Sequence, residues 1–246
     1  MTVEVLFLPG PEDVSFRAAS ICIERSKSSI TAKGRFSLAV SGGKTPLRLF
    51  GLLGTTHRKD VRWDLTDIFW VDERCVPPDH EDSNYKGAYD ALLSRIDIPA
   101  GNIHRIRGEM PPDEGAREYE KELRKYFGEQ GVPAFDLVLL GVGVDGHTAS
   151  LFPGAPSLSE RERLTIPVYS EKLKSQRITL TFPVLNSASN VLFLVTGREK
   201  IHILKEILES DENSQRYPAG LIRPVNGSVT WLLDREASSL VTSSRG

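Results

Sequence analysis

The chain has 246 residues, 39% of them hydrophobic, and a formal net charge of −2 at pH 7. This length can bury one sizeable core, and the charge gives no overall positive field for nucleic acid or an anionic membrane, so we expect one domain over residues 1–246 that acts on a small molecule. The two cysteines, Cys22 and Cys75, are too few for a disulfide framework and fit no metal-ligand spacing, which suits a reducing compartment and predicts no metal site.

The N-terminal segment, MTVEVLFLPGPEDV, carries no basic stretch, and its apolar run is too short for a signal peptide or a membrane span. No later run in the sequence reaches membrane length either. We therefore expect a cytoplasmic protein without a membrane partner.

Short apolar runs alternate with amphipathic segments along the chain. The runs predict strands at 3–8, 36–40, 67–71, 135–140, 177–182, 190–195 and 229–233. The amphipathic segments predict helices at 12–30, 46–53, 113–127 and 198–210. Strands that are apolar throughout and alternate with helices are typical of a mainly parallel sheet with helices on both faces. The predicted class is therefore α/β, with three layers.

Ligands in such sheets lie beyond the carboxyl ends of the strands, and the first polar segment there is SGGKTP, residues 41–46. It is not a nucleoside-triphosphate loop, because Leu38 stands where that motif needs a glycine. A helix starting at Pro46 would offer free N–H groups to one phosphate. A plain Gly-Gly turn with Thr45 as the N-cap fits the spacing equally well. The residues of the predicted phosphate site are Ser41, Gly42, Gly43 and Thr45.

The second segment is VDER, residues 71–74. Asp72, Glu73 and Arg74 are compatible with a solvated charged turn, which is the commoner role of such a run. Their place after a predicted strand also puts them at the ligand-binding edge.

The third segment is GVGVDGHTASLFPG, residues 141–154, which contains the dinucleotide spacing G-x-G-x-x-G. Asp145 would repel a diphosphate there, and Pro153 would end any helix too early, so we predict no nucleotide cofactor. Asp145 and His147 flank a glycine and can project into one cleft, where the carboxylate would orient an imidazole that acts as a general base. The remaining histidines are expected to be structural: His57, His80, His104 and His202.

The fourth candidate is a pair of cations, Arg177 at a strand start and Lys200 at a helix start. Taken singly, each is compatible with an ordinary solvated side chain. Together they could supply charge to a phosphate held by residues 41–45.

The segments SGGKTP, WVDER, DSNY, GVGVDGHTASLFPG and RITLTFPVLN, in this order, resemble the 6-phosphogluconolactonase family from about Phe36 to Trp231. The resemblance implies a single-domain, Rossmann-like α/β fold shared with glucosamine-6-phosphate deaminase and ribose-5-phosphate isomerase. It also implies hydrolysis of the sugar phosphate 6-phospho-D-glucono-1,5-lactone to 6-phosphogluconate, in the oxidative pentose phosphate pathway. No cofactor is implied.

The resemblance also implies roles for individual residues. His147 would be the general base with Asp145 beside it, and Arg74 or loop N–H groups would stabilise the oxyanion. Asp72 would be a second catalytic carboxylate and the next candidate for the base after His147. The substrate-binding residues implied are Ser41, Gly42, Gly43 and Thr45 with Arg177 and Lys200 for the phosphate, and Asp72, Arg74 and Asn84 for the sugar. Gly141, Gly143 and Gly146 would give the catalytic loop its tight path.

Two alternatives remain at this point. Amino-sugar phosphate deaminases or isomerases share the phosphate loop and the Asp-Gly-His turn, but the deaminases have a glutamate where this chain has Phe152 and an aromatic residue where it has Arg74. A non-catalytic sugar-phosphate sensor would use much the same cleft, so turnover distinguishes it from an enzyme.

Overall fold

The structure, a computed structural model, describes residues 2–241. Its strands are β1 Thr2–Leu8, β2 Phe36–Val40, β3 Thr66–Trp70, β4 Asp72–Arg74, β5 Ile103–His104, β6 Leu137–Leu140, β7 Thr165–Ser170, β8 Ser175–Leu180, β9 Asn190–Val195 and β10 Ser228–Asp234. Its α-helices are α1 Pro11–Lys33, α2 Lys44–Gly54, α3 Asn84–Ala91, α4 Pro112–Phe127, α5 Phe182–Leu185, α6 Ile201–Glu209 and α7 Asp211–Ser214.

Within residues 2–241, seven strands form one parallel sheet in the order β1-β10-β9-β6-β2-β3-β5. The central strands β2, β3 and β6 are buried at every position, because a parallel sheet is covered on both faces; this explains their apolar sequences. The predicted α/β class with a mainly parallel sheet is confirmed. Strand β5 was not predicted, because it has only two residues.

The prediction that residues 177–182 belong to the parallel sheet is wrong. Strand β8 pairs antiparallel with β4 and β7 in a separate three-stranded sheet. The chain leaves the parallel sheet at Val71, directly after β3, and β4 then meets β8. An apolar run reports burial but not its pairing partner, so the sequence pattern could not distinguish the two sheets.

Helix α1 has clear end signals. Pro11 occupies its first turn together with Glu12 and Asp13, and the helix ends at Gly34, whose φ of +81° suits glycine and whose N–H bonds the Ile30 carbonyl. The predicted helices at 12–30 and 113–127 lie inside α1 and α4, respectively.

Other helix boundaries differ from prediction. The segment 198–210 begins with a 3-10 turn at Arg198–Lys200 before α6. Helix α3 was not predicted, since its eight residues contain few apolar side chains and one of its two tyrosines, Tyr89, is exposed. The segment 211–221, for which the sequence pattern predicted no helix, contains α7 and the 3-10 helix Pro218–Leu221.

The strands and helices share one continuous cluster of buried apolar side chains. Helices α1 and α2 pack against each other, and α4 packs on β7 and β8. The Phe69 ring stacks on His104 with centroids 4.2 Å apart and also meets Tyr126 and Phe135. No helix in residues 2–241 is long and apolar enough to span a membrane.

Candidate active site

A cleft of about 560 Å³ opens at the carboxyl ends of β2, β6, β9 and β10, beside β4. In the sheet, β2 lies between β3 and β6, so the strand order reverses direction at this point. Ligands of open parallel sheets usually bind at such a switch point. All the predicted site residues except Asp145 line the cleft: Ser41, Gly42, Gly43, Thr45, Asp72, Arg74, Asn84, His147, Arg177 and Lys200. Of the histidines in the described chain, only His147 lines this cleft.

The loop after β2 turns into α2 earlier than predicted. The helix begins at Lys44, and Gly43, with φ of +110°, is the N-cap without any side-chain cap. The predicted helix start at Pro46 is wrong, and so is the alternative in which Thr45 is the N-cap, because Gly43 is the N-cap and Thr45 already lies in the first helical turn. Its hydroxyl instead bonds the Thr196 hydroxyl at 2.9 Å, which ties the loop to the end of β9.

This loop has the features of an anion site. The Leu47 N–H makes the first helical bond, to the Gly43 carbonyl, so the N–H groups of Lys44 and Thr45 remain at the positive end of the helix. Ser41 is 6% exposed and lines the cleft, and its hydroxyl has no hydrogen-bond partner among the described residues. A buried hydroxyl without a partner costs free energy, which a ligand oxygen would recover.

Two arginines face the cleft from the antiparallel sheet. Arg177 is buried, and within residues 2–241 its guanidinium donates one hydrogen bond, from Nε to Ser175 Oγ. Burial lowers the pKa of Arg177, Asp72 acts to raise it and Arg74 to lower it, but an arginine stays cationic at neutral pH. Arg74 donates from Nη1 to the Asp82 carbonyl at 2.5 Å. Both guanidinium groups thus have donors left for an anion.

Lys200 reaches the cleft from the turn after β9. It makes no ion pair with any residue of the described chain. The turn is fixed by Gly197, whose φ is +99° and whose N–H contacts both carboxylate oxygens of Asp234 at 3.2 Å.

The turn after β6 carries a carboxylate–imidazole pair. His147 Nδ1 lies 2.5 Å from Asp145 Oδ1, which also accepts the His147 N–H at 3.3 Å. Partial burial would raise the pKa of Asp145, but the charge and hydrogen bonds of His147 outweigh this effect and lower it. An ionised Asp145 holds the proton on Nδ1, so Nε2 is left as the proton acceptor.

Two glycines shape this turn. A Cβ on Gly143 would lie 2.1 Å from His147 Nδ1, and a Cβ on Gly146, whose φ is +80°, would lie 2.5 Å from the Tyr217 ring. At Gly141 a Cβ would meet open space, so among the three glycines of this loop the packing opposes a side chain at Gly143 and Gly146 but not at Gly141. The Phe152 ring packs against the other side of the imidazole, with centroids 4.9 Å apart.

Asp72 and Asn84 contact each other rather than acting as separate groups. Asn84 Nδ2 donates to Asp72 Oδ1 at 3.1 Å and to the Asp72 carbonyl at 2.9 Å. The second carboxylate oxygen of Asp72 accepts the Ser150 hydroxyl at 2.6 Å. With both oxygens engaged, Asp72 is poorly placed to take a proton from water.

Sequence reasoning missed two residues that hold the site. Ser150 lies inside the segment 141–154 but was given no role. Glu73 is buried and accepts the N–H groups of Asn84 at 2.7 Å and Tyr85 at 2.8 Å, so it caps α3. Burial raises the pKa of Glu73, although these N–H groups oppose the rise. Only knowledge of α3 could have revealed this role. In the described residues no group of three or more His, Cys, Asp or Glu side chains could hold a metal ion.

Comparison with known proteins adds to this geometry. Residues 9–231 match the family described as glucosamine-6-phosphate isomerases/6-phosphogluconolactonase. The chain belongs to this family. It is 40% identical to the 6-phosphogluconolactonase of Synechocystis sp. over 92% of this chain and 93% of that protein.

Solved structures agree with this assignment. The 6-phosphogluconolactonase of Trypanosoma cruzi superposes with a TM-score of 0.87 at 30% identity, covering 99% of each chain. A monomeric glucosamine-6-phosphate deaminase has a TM-score of 0.79 at 23% identity, over 96% of this chain and 99% of its own, which shows a shared fold. The expected likeness to ribose-5-phosphate isomerase stays a prediction.

Proposed function

We propose that this protein is a 6-phosphogluconolactonase: it hydrolyses 6-phospho-D-glucono-1,5-lactone to 6-phosphogluconate, the second step of the oxidative pentose phosphate pathway. The observation that carries the proposal is the Asp145–His147 pair, whose imidazole lines the same cleft as the anion site of residues 41–45. The named relatives support the choice of substrate.

The phosphate binds at the start of α2. The N–H groups of Lys44 and Thr45 and the Ser41 hydroxyl donate to its oxygens, and Arg177 and Lys200 supply positive charge. Since the phosphate is remote from C1, its binding energy orients the lactone and raises the rate.

His147 activates the nucleophile. Its Nε2 removes a proton from a water molecule as the water oxygen attacks C1, while Asp145 stabilises the imidazolium that forms. General-base assistance of this kind is worth about 10²–10⁴-fold in rate. No serine or cysteine nucleophile is needed, because a lactone is an activated ester.

The attack converts the C1 carbonyl into a tetrahedral oxyanion. Arg74, which keeps donors facing the cleft, stabilises this charge. The intermediate then re-forms the carbonyl and breaks the bond from C1 to the ring oxygen, which receives the proton from His147. The product is the open-chain acid, and the histidine returns to its neutral form.

Asp72 and Asn84 lie beside the sugar, and their main contribution is to keep this edge of the cleft in a fixed geometry. Their mutual hydrogen bonds keep both side chains at the edge of the cleft. Hydroxyl groups of the sugar would contact the faces of these groups that remain open to the cleft.

Other features follow from the same proposal. The reaction requires no cofactor, and Asp145 in the glycine loop disfavours a nucleotide. The assignment of the chain, residues 1–246, to one domain is supported by the continuous apolar cluster among the described residues. Both cysteines are unpaired, which supports a cytoplasmic location.

The test is turnover. The lactone opens unaided in water, so it must be generated freshly in the assay and the rate measured above that background. We expect hydrolysis of the phosphorylated lactone, a much lower kcat/KM for unphosphorylated glucono-1,5-lactone, and no ammonia from glucosamine 6-phosphate. Ammonia release would instead indicate a deaminase, and tight 6-phosphogluconate binding without turnover would indicate a sensor.

A further inference from the structure

Three buried side chains, two of which line the cleft, are joined by a continuous line of hydrogen bonds. Asn84 donates to one oxygen of the Asp72 carboxylate, and Ser150 donates to the other. Their exposed fractions are 7%, 5% and 0%, respectively. We call these three residues the polar bridge.

One end of the polar bridge touches the phosphate loop. A Cβ on Gly42 would lie 1.8 Å from Asn84 Oδ1, so the amide packs directly on the Gly42 backbone. Asn84 itself is fixed at the start of α3, where Glu73 accepts its N–H. Any shift of this amide therefore shifts the surface against which residues 41–43 rest.

The other end holds the catalytic turn. Ser150 follows His147 by three residues, and its N–H bonds Thr179 Oγ1 of β8 at 3.2 Å. Its hydroxyl bond to Asp72 joins positions 78 residues apart. The turn is thereby anchored both to the strand that carries Asp72 and to the strand that carries Arg177.

We propose that Ser150 is a positioning residue that, through Asp72 and Asn84, fixes the distance between the phosphate loop and the imidazole of His147. The kinetic part of this inference rests on the proposed function, because it concerns the rate of lactone hydrolysis. An anchored phosphate accelerates the reaction only if the base sits at the matching distance from C1, and an error of about 1 Å can cost on the order of 10²-fold. A buried hydroxyl-to-carboxylate bond is short and strong enough to hold that distance.

The variant is Ser150→Ala, which removes the hydroxyl and leaves the N–H bond to Thr179. Its control is Ser157→Ala, because the Ser157 hydroxyl is also buried but has no hydrogen-bond partner among residues 2–241. On the phosphorylated lactone, Ser150→Ala should lower kcat by about 10–100-fold with KM within about twofold. Ser157→Ala should match the wild type.

A substrate comparison separates positioning from general damage. Unphosphorylated glucono-1,5-lactone is not anchored and can follow a displaced base, so Ser150→Ala should lower its turnover much less. Equal losses on both lactones, or none on either, would overturn the proposal. If Ser150→Ala does not fold, Thr179→Val removes the second anchor with little change of shape and carries the same expectation.

A second readout does not depend on lactone hydrolysis. Inorganic phosphate is titrated into the protein while the imidazole signal of His147, assigned with His147→Ala, is followed by NMR. Phosphate should shift the signal in the wild type and in Ser157→Ala, and shift it much less in Ser150→Ala at equal occupancy measured by calorimetry. An undiminished shift in Ser150→Ala, or none in the wild type, would exclude the coupling even if the lactonase assignment were correct. Failure of that assignment alone would leave the shift intact.

Discussion

Arg74 and Arg177 are directly opposite each other in the antiparallel pair of β4 and β8. Like charges in this relationship destabilise a sheet, and Arg177 is also buried. Asp72 offsets part of the repulsion, since it acts to raise the pKa of Arg177. An arrangement that costs stability and points two guanidinium groups into a cleft is most readily explained by an anionic ligand.

Replacement of Arg177 should therefore separate stability from binding. Arg177→Met keeps the apolar stem and removes the repulsion, so the free energy of unfolding should stay the same or rise by about 0.5 kcal/mol. Affinity for 6-phosphogluconate should fall by about 1.5–3 kcal/mol, measured by calorimetry. Arg163→Met, which removes an arginine beside Glu120 outside the cleft, is the control and should leave affinity unchanged. A large loss of stability in Arg177→Met would assign that residue a structural role.

Lys200 offers a second test of the phosphate site with an adjacent control. Lys200→Gln should weaken phosphosugar binding by about 1.5–3 kcal/mol, because one charge-assisted bond is lost. Arg198 lies two residues away, is exposed and does not line the cleft. If Arg198→Gln had the same effect, the loss would reflect the general field of the surface rather than a contact.

The base can be tested with a second histidine of similar geometry. His147→Ala should lower kcat by about 10²–10⁴-fold while fold and phosphosugar affinity remain. His57 also pairs through Nδ1 with an aspartate, Asp60, at 2.7 Å, but outside the cleft, so His57→Ala should retain full activity. Asp145, whose pKa is lowered by the charge and hydrogen bonds of His147, should stay ionised at neutral pH and keep orienting the imidazole. Near-normal turnover by folded His147→Ala would show that another residue is the general base.

A substitution at Gly143 should affect the chemical step more than substrate binding. Its added Cβ would displace the imidazole, so Gly143→Ala should lower kcat on the order of 10²-fold with a small change in KM. Gly141→Ala places its Cβ in open space and should leave the NMR signal of His147 unchanged. An unmoved imidazole in Gly143→Ala would contradict the packing described for this turn.

The protein should lose stability in acid through Asp67. This buried carboxylate accepts bonds from Arg35, Tyr126 and His104, which outweigh the effect of burial and lower the pKa of Asp67. Its contribution is therefore complete above the ordinary aspartate pKa of about 3.9 and is lost as pH falls through the lowered value.

Asp67→Asn should cost about 1–3 kcal/mol at pH 7 and flatten the pH dependence in that acid range, as measured by denaturant unfolding. Asp64, whose carboxylate bonds the exposed Arg62, is the control, and Asp64→Asn should unfold close to the wild type. An unchanged acid slope in Asp67→Asn would assign the loss to other groups.

The sequence predicted six of the seven strands of the parallel sheet, all except the two-residue β5, because each contains a run of mostly apolar residues. It also predicted which polar segments follow them. All the candidate catalytic and substrate-binding residues except Asp145 line one cleft, although their roles stay predictions. It could not predict the partners of Asp72 or Glu73, because these lie at the start of α3, a helix that was not predicted, and at the distant Ser150. The alternative role of Thr45 as an N-cap could not be excluded from the sequence, because a threonine bonded to a distant residue has the same local spacing as an N-cap.

The antiparallel sheet has a consequence for folding order. β4 emerges from the ribosome more than 100 residues before β8, its only strand neighbour in the described structure, because Thr179 and Val71 are 108 residues apart along the chain. Contacts this distant close slowly, since a long loop must be ordered first. The strand that carries Asp72 and Arg74 therefore remains unpaired until β8 has been synthesised. Its charged side chains disfavour pairing with strands of other chains during that time. Catalytic competence should appear as a late, single step once β8 has docked.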